Sequence, residues 1–202
     1  MTKVAFSTRP LLLALFAPLF CPAPAAAHLV TTGMGPVYDG IGHLLLTPED
    51  LLPVLALALY AGMRGAAAGR RTMFLLPLSW LVGGLAGSAV NAAIPASVPA
   101  VSILALGGLV AADLCLPAGA VAGLAVVLGL VHGFMNGSLL REGAGTPGLI
   151  GIATMLFVLV ALASAPVVSL RRPWTRIAVR VAGSWIAAIG LLLLGWTLRG
   201  RA

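Results

Sequence analysis

The side chains able to do chemistry in this 202-residue sequence are few: Asp39, His43, Glu49, Asp50, Asp113 and His132, with Asn136 as a polar neighbour. Asp39 and His43 are four residues apart, as are His132 and Asn136, so each pair shares one face if its segment is helical. The two pairs bring imidazole nitrogens and carboxylate or amide oxygens from separate stretches of chain. Such donors suit a borderline divalent ion such as nickel, cobalt, zinc or copper. A soft thiolate site is not available, because Cys115 stands alone once Cys21 leaves with the expected signal peptide. In apolar surroundings these groups are informative, since a charge at the centre of a bilayer costs ~2.5–3.5 kcal/mol even on insertion scales.

Several of these residues also have structural explanations. Thr47-Pro48-Glu49-Asp50 reads as a helix start, with a Thr N-cap, Pro at the first position and Thr-x-x-Asp resembling a capping box. Capping accounts for Glu49, whereas Asp50 serves equally as a cap or as a ligand. His132 would make a simple interhelical hydrogen bond, or act as a ligand beside the closely packed Gly133 and Gly137. Asp113 reads as an interfacial carboxylate, with an exit-side ion contact as the alternative. Gly35 to His43 is too glycine-rich for a stable helix by propensity, yet Ile41 to Leu46 is apolar. This points to a short half-helix or re-entrant turn, a feature that within a membrane occurs where backbone is buried in protein or lines a polar cavity.

The elements that must position these groups are membrane helices. The sequence is 60% hydrophobic and 8% charged, and its mean hydropathy is +1.10. A water-soluble core of this size has no room for that much apolar surface. Windows of about 20 residues predict helices near Pro48–Met63, Thr72–Ile94, Val98–Leu114, Pro117–Leu140, Pro147–Val168 and Arg176–Leu198. The fold class is therefore an all-α polytopic membrane bundle of about six transmembrane helices, residues 28–202 forming one domain. Residues 1–27 read as a cleavable signal peptide: Lys3 and Arg9 precede an apolar Leu11–Phe20 and an Ala25-Ala26-Ala27 cleavage site. Cleavage would expose His28, whose free amine and imidazole can chelate one ion or be a mere processing remnant.

The net charge of +7 comes from scattered Arg and Lys. No basic stripe for nucleic acid is formed, so none is expected as a partner. Arg64, Arg70 and Arg71 after the first span, and Arg171, Arg172 and Arg176 before the last, mark cytoplasmic loops. The mature N-terminus is then periplasmic and the protein multi-pass in a bacterial inner membrane, with Asp39 to Asp50 and His132 at similar external depth. Gly83 and Gly87, Gly119 and Gly123, and Gly129, Gly133 and Gly137 fall at helix-packing spacing. An enzyme is not expected: Asn136-Gly137-Ser138-Leu139 lacks the Gly-x-Ser-Gly turn of an intramembrane serine protease, and no base is evidently paired to Ser138.

On four features the sequence resembles the HupE/UreJ family of membrane proteins, implicated in nickel or cobalt handling for hydrogenase and urease. These are a signal peptide ending just before His28, Gly40-x-x-His43 followed by Asp50-Leu51-Leu52, Leu57-x-Leu59-x-Ala61-Gly62, and Val131-His132-Gly133-x-x-Asn136-Gly137. The family pattern has two further imidazoles, where this sequence carries Leu51 and Asn136. The resemblance implies a permease for a divalent transition-metal ion, with His43, Asp50 and His132 as inherited positions. It equally admits a non-transporting accessory that delivers metal to metalloenzyme maturation proteins. On the permease reading, His28, Asp39, His43 and Asp50 capture the ion externally and His132 and Asn136 receive it.

Overall fold

A computed structural model of the chain describes residues 31–90, 94–170 and 173–199. The expected signal peptide and His28 lie outside these. Among the described residues the chain is all-helical, in seven helices: α1 Pro36–Leu46, α2 Pro48–Met63, α3 Ala66–Ala89, α4 Ser97–Ala112, α5 Ala118–Leu140, α6 Gly145–Ser169 and α7 Pro173–Arg199.

Against the expected count of about six spans, the described residues hold four candidate spans, or five with one bent pair. Helices α3, α5, α6 and α7 are each long and apolar enough to cross a membrane, and α1 with α2 passes the same test only as a pair bent by 75°. Helix α4 is apolar but has 16 residues, a length of about 24 Å against the ~30 Å of a hydrocarbon core. Helix α3 starts at Ala66 rather than near Thr72, so Arg70 and Arg71 ride exposed on its first turns and are not in a loop.

The expected half-helix is α1. Pro36 at its first position has its φ preset for a helix, which offsets the three glycines nearby. Thr47 ends it in an extended conformation, at φ −103° and ψ 96°. Pro48 causes this, because its ring disfavours the α region for the residue before it. The same proline then opens α2, so one Thr-Pro step both stops a helix and starts the next at a sharp elbow.

Sequence neighbours are not the main packing partners. The tightest pair is α3 with α5, followed by α4 with α7, and α6 lies against α1, α2 and α3. Glycine explains the first pair. A Cβ added to Gly83 or Gly133 would lie 2.8 Å from the Cα of Leu130 or Trp80, closer than side chains tolerate. Gly87, Gly129 and Gly137 make equally close approaches across the same interface. The expected packing role of Gly119 and Gly123 fails: nothing lies within 4 Å of either added Cβ, because the first turns of α5 have no helix against that face. Helices α4 and α5 leave between them a cavity of about 340 Å³, lined by Val98, Val101, Ser102, Leu124, Val127 and Val131 among others.

Candidate cation site

Helices α1 and α2, joined at the elbow, meet the sequence-remote α5 at the carboxylate of Asp50. The residue sits in the first turn of α2, directly after the elbow, and is 5% exposed. Its Oδ1 lies 2.8 Å from His132 Nδ1, and its Oδ2 accepts a 2.8 Å hydrogen bond from Asn136 Nδ2. Asn136 also donates to the His132 carbonyl one turn earlier on α5, at 3.0 Å. From α1, His43 places Nε2 3.8 Å from Asp50 Oδ2. The imidazoles of His43 and His132 thus flank one carboxylate, and His132 is wholly buried.

Close packing makes this meeting compatible with an apolar bundle. His132 precedes Gly133, whose contact with Trp80 holds α5 against α3. The Trp80 and His132 rings lie 5.6 Å apart at 36°. His43 is carried to the site by a second glycine contact. A Cβ at Gly40 would lie 2.8 Å from Gly148 Cα, so α1 is seated directly on the backbone of α6.

Asp50 is not spent on capping. Thr47 is the N-cap residue by position, but its side chain makes no capping bond, and the Asp50 carboxylate turns inward to α5. The expected capping box is therefore corrected: the Thr47 carbonyl accepts from the Asp50 and Leu51 amides, and buried donors on α5 claim the carboxylate. Glu49 is exposed beside it.

Asp39 stands apart from this group although it shares a helix with His43. Its Oδ1 accepts from the Thr32 amide at 2.6 Å and the Thr32 hydroxyl at 2.7 Å, which ties down the chain entering α1. Ser102 of α4 belongs to the group and was not anticipated. Its Oγ lies 3.2 Å from His132 Nε2 and donates to the Val98 carbonyl at 3.0 Å. A serine four residues after a carbonyl reads in sequence as ordinary helix back-bonding, so nothing singled it out.

Two buried polar atoms at the site have no hydrogen-bond partner, His43 Nε2 and Asn136 Oδ1. Buried polar groups in native proteins are mostly satisfied, so an unmatched imidazole nitrogen and amide oxygen beside a carboxylate are the donors a ligand could engage here. Among the described residues no three His, Cys, Asp or Glu side chains are gathered in metal-holding geometry. The reason is visible in the bonds: Asp50, His132 and Asn136 are turned toward one another.

A second polar group closes the opposite end of α2. Asp113, at φ 54° in the left-handed region that ends α4, pairs with Arg64 and with Arg176, whose Nε is 2.6 Å away. The Arg176 hydrogen bond is the main cause holding the Asp113 carboxyl below the usual carboxylate range. Tyr60 donates to the Leu114 carbonyl at 2.6 Å and accepts from the Leu116 amide at 3.3 Å, and Arg64 stacks over its ring. Arg64 also reaches Cys115 Sγ at 2.8 Å. Asp113 is therefore engaged by two guanidinium groups that tie α2, α4 and α7 together. Ser138 donates to the Gly87 and Phe134 carbonyls, and so bridges α5 to α3.

A family model described as HupE / UreJ protein matches residues 14–193. The chain belongs to the HupE/UreJ family. No curated protein and no solved structure matches it. Membership covers the segments that carry His43, Asp50, His132 and Asn136, and it fits a multi-pass membrane protein whose apolar helices sit in a lipid bilayer.

Proposed function

We propose that the protein is a permease of the bacterial inner membrane that passes a divalent transition-metal ion through the site at Asp50. Family membership points to nickel or cobalt as cargo, and the nitrogen and oxygen donors also suit copper or zinc. The observation that carries the reading is the unpartnered His43 Nε2 beside a carboxylate already flanked by His132. An arriving ion would replace the bonds of Asp50 to His132 and Asn136 with bonds to itself. His43, on a half-helix outside the α2 to α5 contacts, supplies the nitrogen that is free to engage first. Asp39 and the expected N-terminal His28 would serve as outer contacts on the periplasmic side, where export places the mature N-terminus. No nucleotide-binding motif occurs in the sequence, so transport would run on the ion gradient or membrane potential.

His43→Ala and His132→Ala, with radiolabelled nickel, cobalt and copper uptake measured in cells, test this directly. Uptake of the cognate ion should fall at least tenfold in both variants at equal membrane abundance. Unchanged uptake of all three ions refutes the proposal.

The closed state of the site favours a second reading. Asp50, His132 and Asn136 are each no more than 5% exposed and bonded to one another, as in a holder that opens only to a partner. On that reading the protein is a membrane accessory delivering metal to metalloenzyme maturation proteins. Purified protein in liposomes separates the two, since an accessory binds ion without moving it into the lumen.

A further inference from the structure

The imidazole of His132 is held at both ring nitrogens. Nδ1 faces Asp50 Oδ1 at 2.8 Å, and Nε2 lies 3.2 Å from Ser102 Oγ. Ser102 is the one hydrogen-bond partner of Nε2 among the described residues, and the ring is wholly buried. Seen from its own helix, the serine merely donates to the Val98 carbonyl one turn earlier. Its placement in the bundle adds a second role. Helix α4 packs mainly on α7 and α2, and a cavity of about 340 Å³ lies between it and α5. The Ser102 hydroxyl therefore reaches the far nitrogen of a buried ring beside a gap, where close helix packing does not bring it there.

The positions of the hydrogens show what a hydroxyl can do at this point. A neutral imidazole carries one ring proton, and a carboxylate accepts without donating. Facing Asp50, that proton stands on Nδ1 while the site is closed. Nε2 is then an acceptor, and the single Ser102 hydrogen is shared between Nε2 and the Val98 carbonyl. An ion bound at Nδ1 needs the lone pair there, so the ring proton must stand on Nε2 instead. One proton leaves Nδ1 for water and one from water joins Nε2, which leaves the charge of the ring unchanged. Ser102 Oγ now accepts from Nε2, and its own hydrogen turns wholly to Val98. Nε2 thus keeps a partner in both states. A backbone carbonyl in place of the hydroxyl would serve the second state alone, and an amide N–H the first alone.

We infer that Ser102 is a positioning residue that lets His132 exchange tautomers, offering Nδ1–H to Asp50 in the closed site and a bare Nδ1 to a divalent transition-metal ion. The inference rests on the metal-binding reading of the site. It deepens that reading by naming which nitrogen of His132 meets the ion and what holds the ring when it does. Histidines that ligate metals commonly give their other N–H to such an outer partner, and its loss weakens metal binding by about 10–100-fold.

Calorimetric titration of nickel and cobalt into purified full-length protein in lipid nanodiscs tests this. Ser102→Thr keeps the hydroxyl, and the added methyl has room because Ser102 lines the cavity. Ser102→Val has nearly the shape of that variant without the hydroxyl, so the contrast between the two isolates the hydrogen bond. Affinity for the ion that the parent binds should stay within about threefold for Ser102→Thr and fall by about 10–100-fold for Ser102→Val. Equal affinities of the two variants overturn the inference and leave the metal site standing, whereas a parent that binds neither ion overturns both. Nitrogen-15 NMR of protein labelled in its histidine rings is the second readout, with zinc as a diamagnetic probe and His132→Gln to assign the signals. In the parent, zinc should move the ring proton of His132 from Nδ1 to Nε2. A ring with the same tautomer before and after zinc refutes the exchange.

Discussion

Gly133→Ala adds one methyl group at the point where α5 lies closest to α3, and the cost can be worked from the geometry. The new Cβ would sit 2.8 Å from Trp80 Cα, and closer still to the Trp80 carbonyl oxygen. Both are backbone atoms of a helix, so no side-chain rotation relieves the clash. Reaching an ordinary contact of 3.4 Å requires the helices to part by at least half an ångström. Overpacking of this kind costs about 1–3 kcal/mol in well-packed cores. Parting α5 from α3 also draws His132 away from Asp50, so binding at the site should weaken along with stability. Gly123→Ala is the matched control: it lies on the same helix with nothing within 4 Å of its added Cβ. The substitution there should be neutral, or stabilising by up to about 1 kcal/mol through helix propensity. Denaturant-driven unfolding of the purified protein in mixed micelles measures both. Equal stability for Gly133→Ala and the parent protein, or equal losses at the two positions, would falsify the close-packing argument.

Two other outcomes follow from the polar groups. Asp50→Ala removes the acceptor of two buried donors, and leaving each unsatisfied costs about 1–3 kcal/mol, whereas Asp50→Asn keeps one acceptor and should lose less; if unfolding ranks the two in reverse, the carboxylate is not the hub of the cluster. Asp113 has a lowered carboxyl pKa in the folded chain, so its contribution is fully present above its unfolded value of about 3.9 and fades as pH falls through the lower folded value. Unfolding followed between about pH 6 and pH 3 should show the stability gap between the parent and Asp113→Asn shrinking in acid; a gap that is constant or widens would contradict the ion pairs.

The rare polar residues stood out as a candidate site because a bilayer leaves them few uses. His132, Asn136 and Asp50 do meet, as the helical spacing of His132 and Asn136 and the scarcity of polar partners led one to expect. What the sequence hid was competition between local and distant partners. Thr47 to Asp50 has the form of a capping box, yet the donors on α5 offer the carboxylate buried hydrogen bonds that the exposed end of α2 cannot match. Asp39 has the spacing to join His43 and is claimed instead by Thr32, which lies outside the helix. Ser102 gave no signal, since its value comes from an imidazole thirty positions away. The glycine spacing was informative only where another helix was present: Gly133 and Gly137 meet α3, and Gly119 and Gly123 meet none. Hydropathy predicts about six spans because it registers apolar runs without regard to the shortness of α4, whereas four helices among the described residues qualify by length, or five with the bent α1–α2 pair.

The elbow at Thr47 divides the donors between two helices. His43 travels with α1, which is fastened to α6 where Gly40 meets Gly148 and Gly151 meets Val37. Asp50 travels with α2, whose far end is locked to α4 and α7 through Arg64 and Asp113. Because α6 also bears on α2, where a Cβ at Gly62 would lie 3.1 Å from Ser164 Cα, that one helix seats both the imidazole and the carboxylate. A helix that contributes no donor of its own sets the aperture of the cluster, and residues as distant as Gly148 tune it.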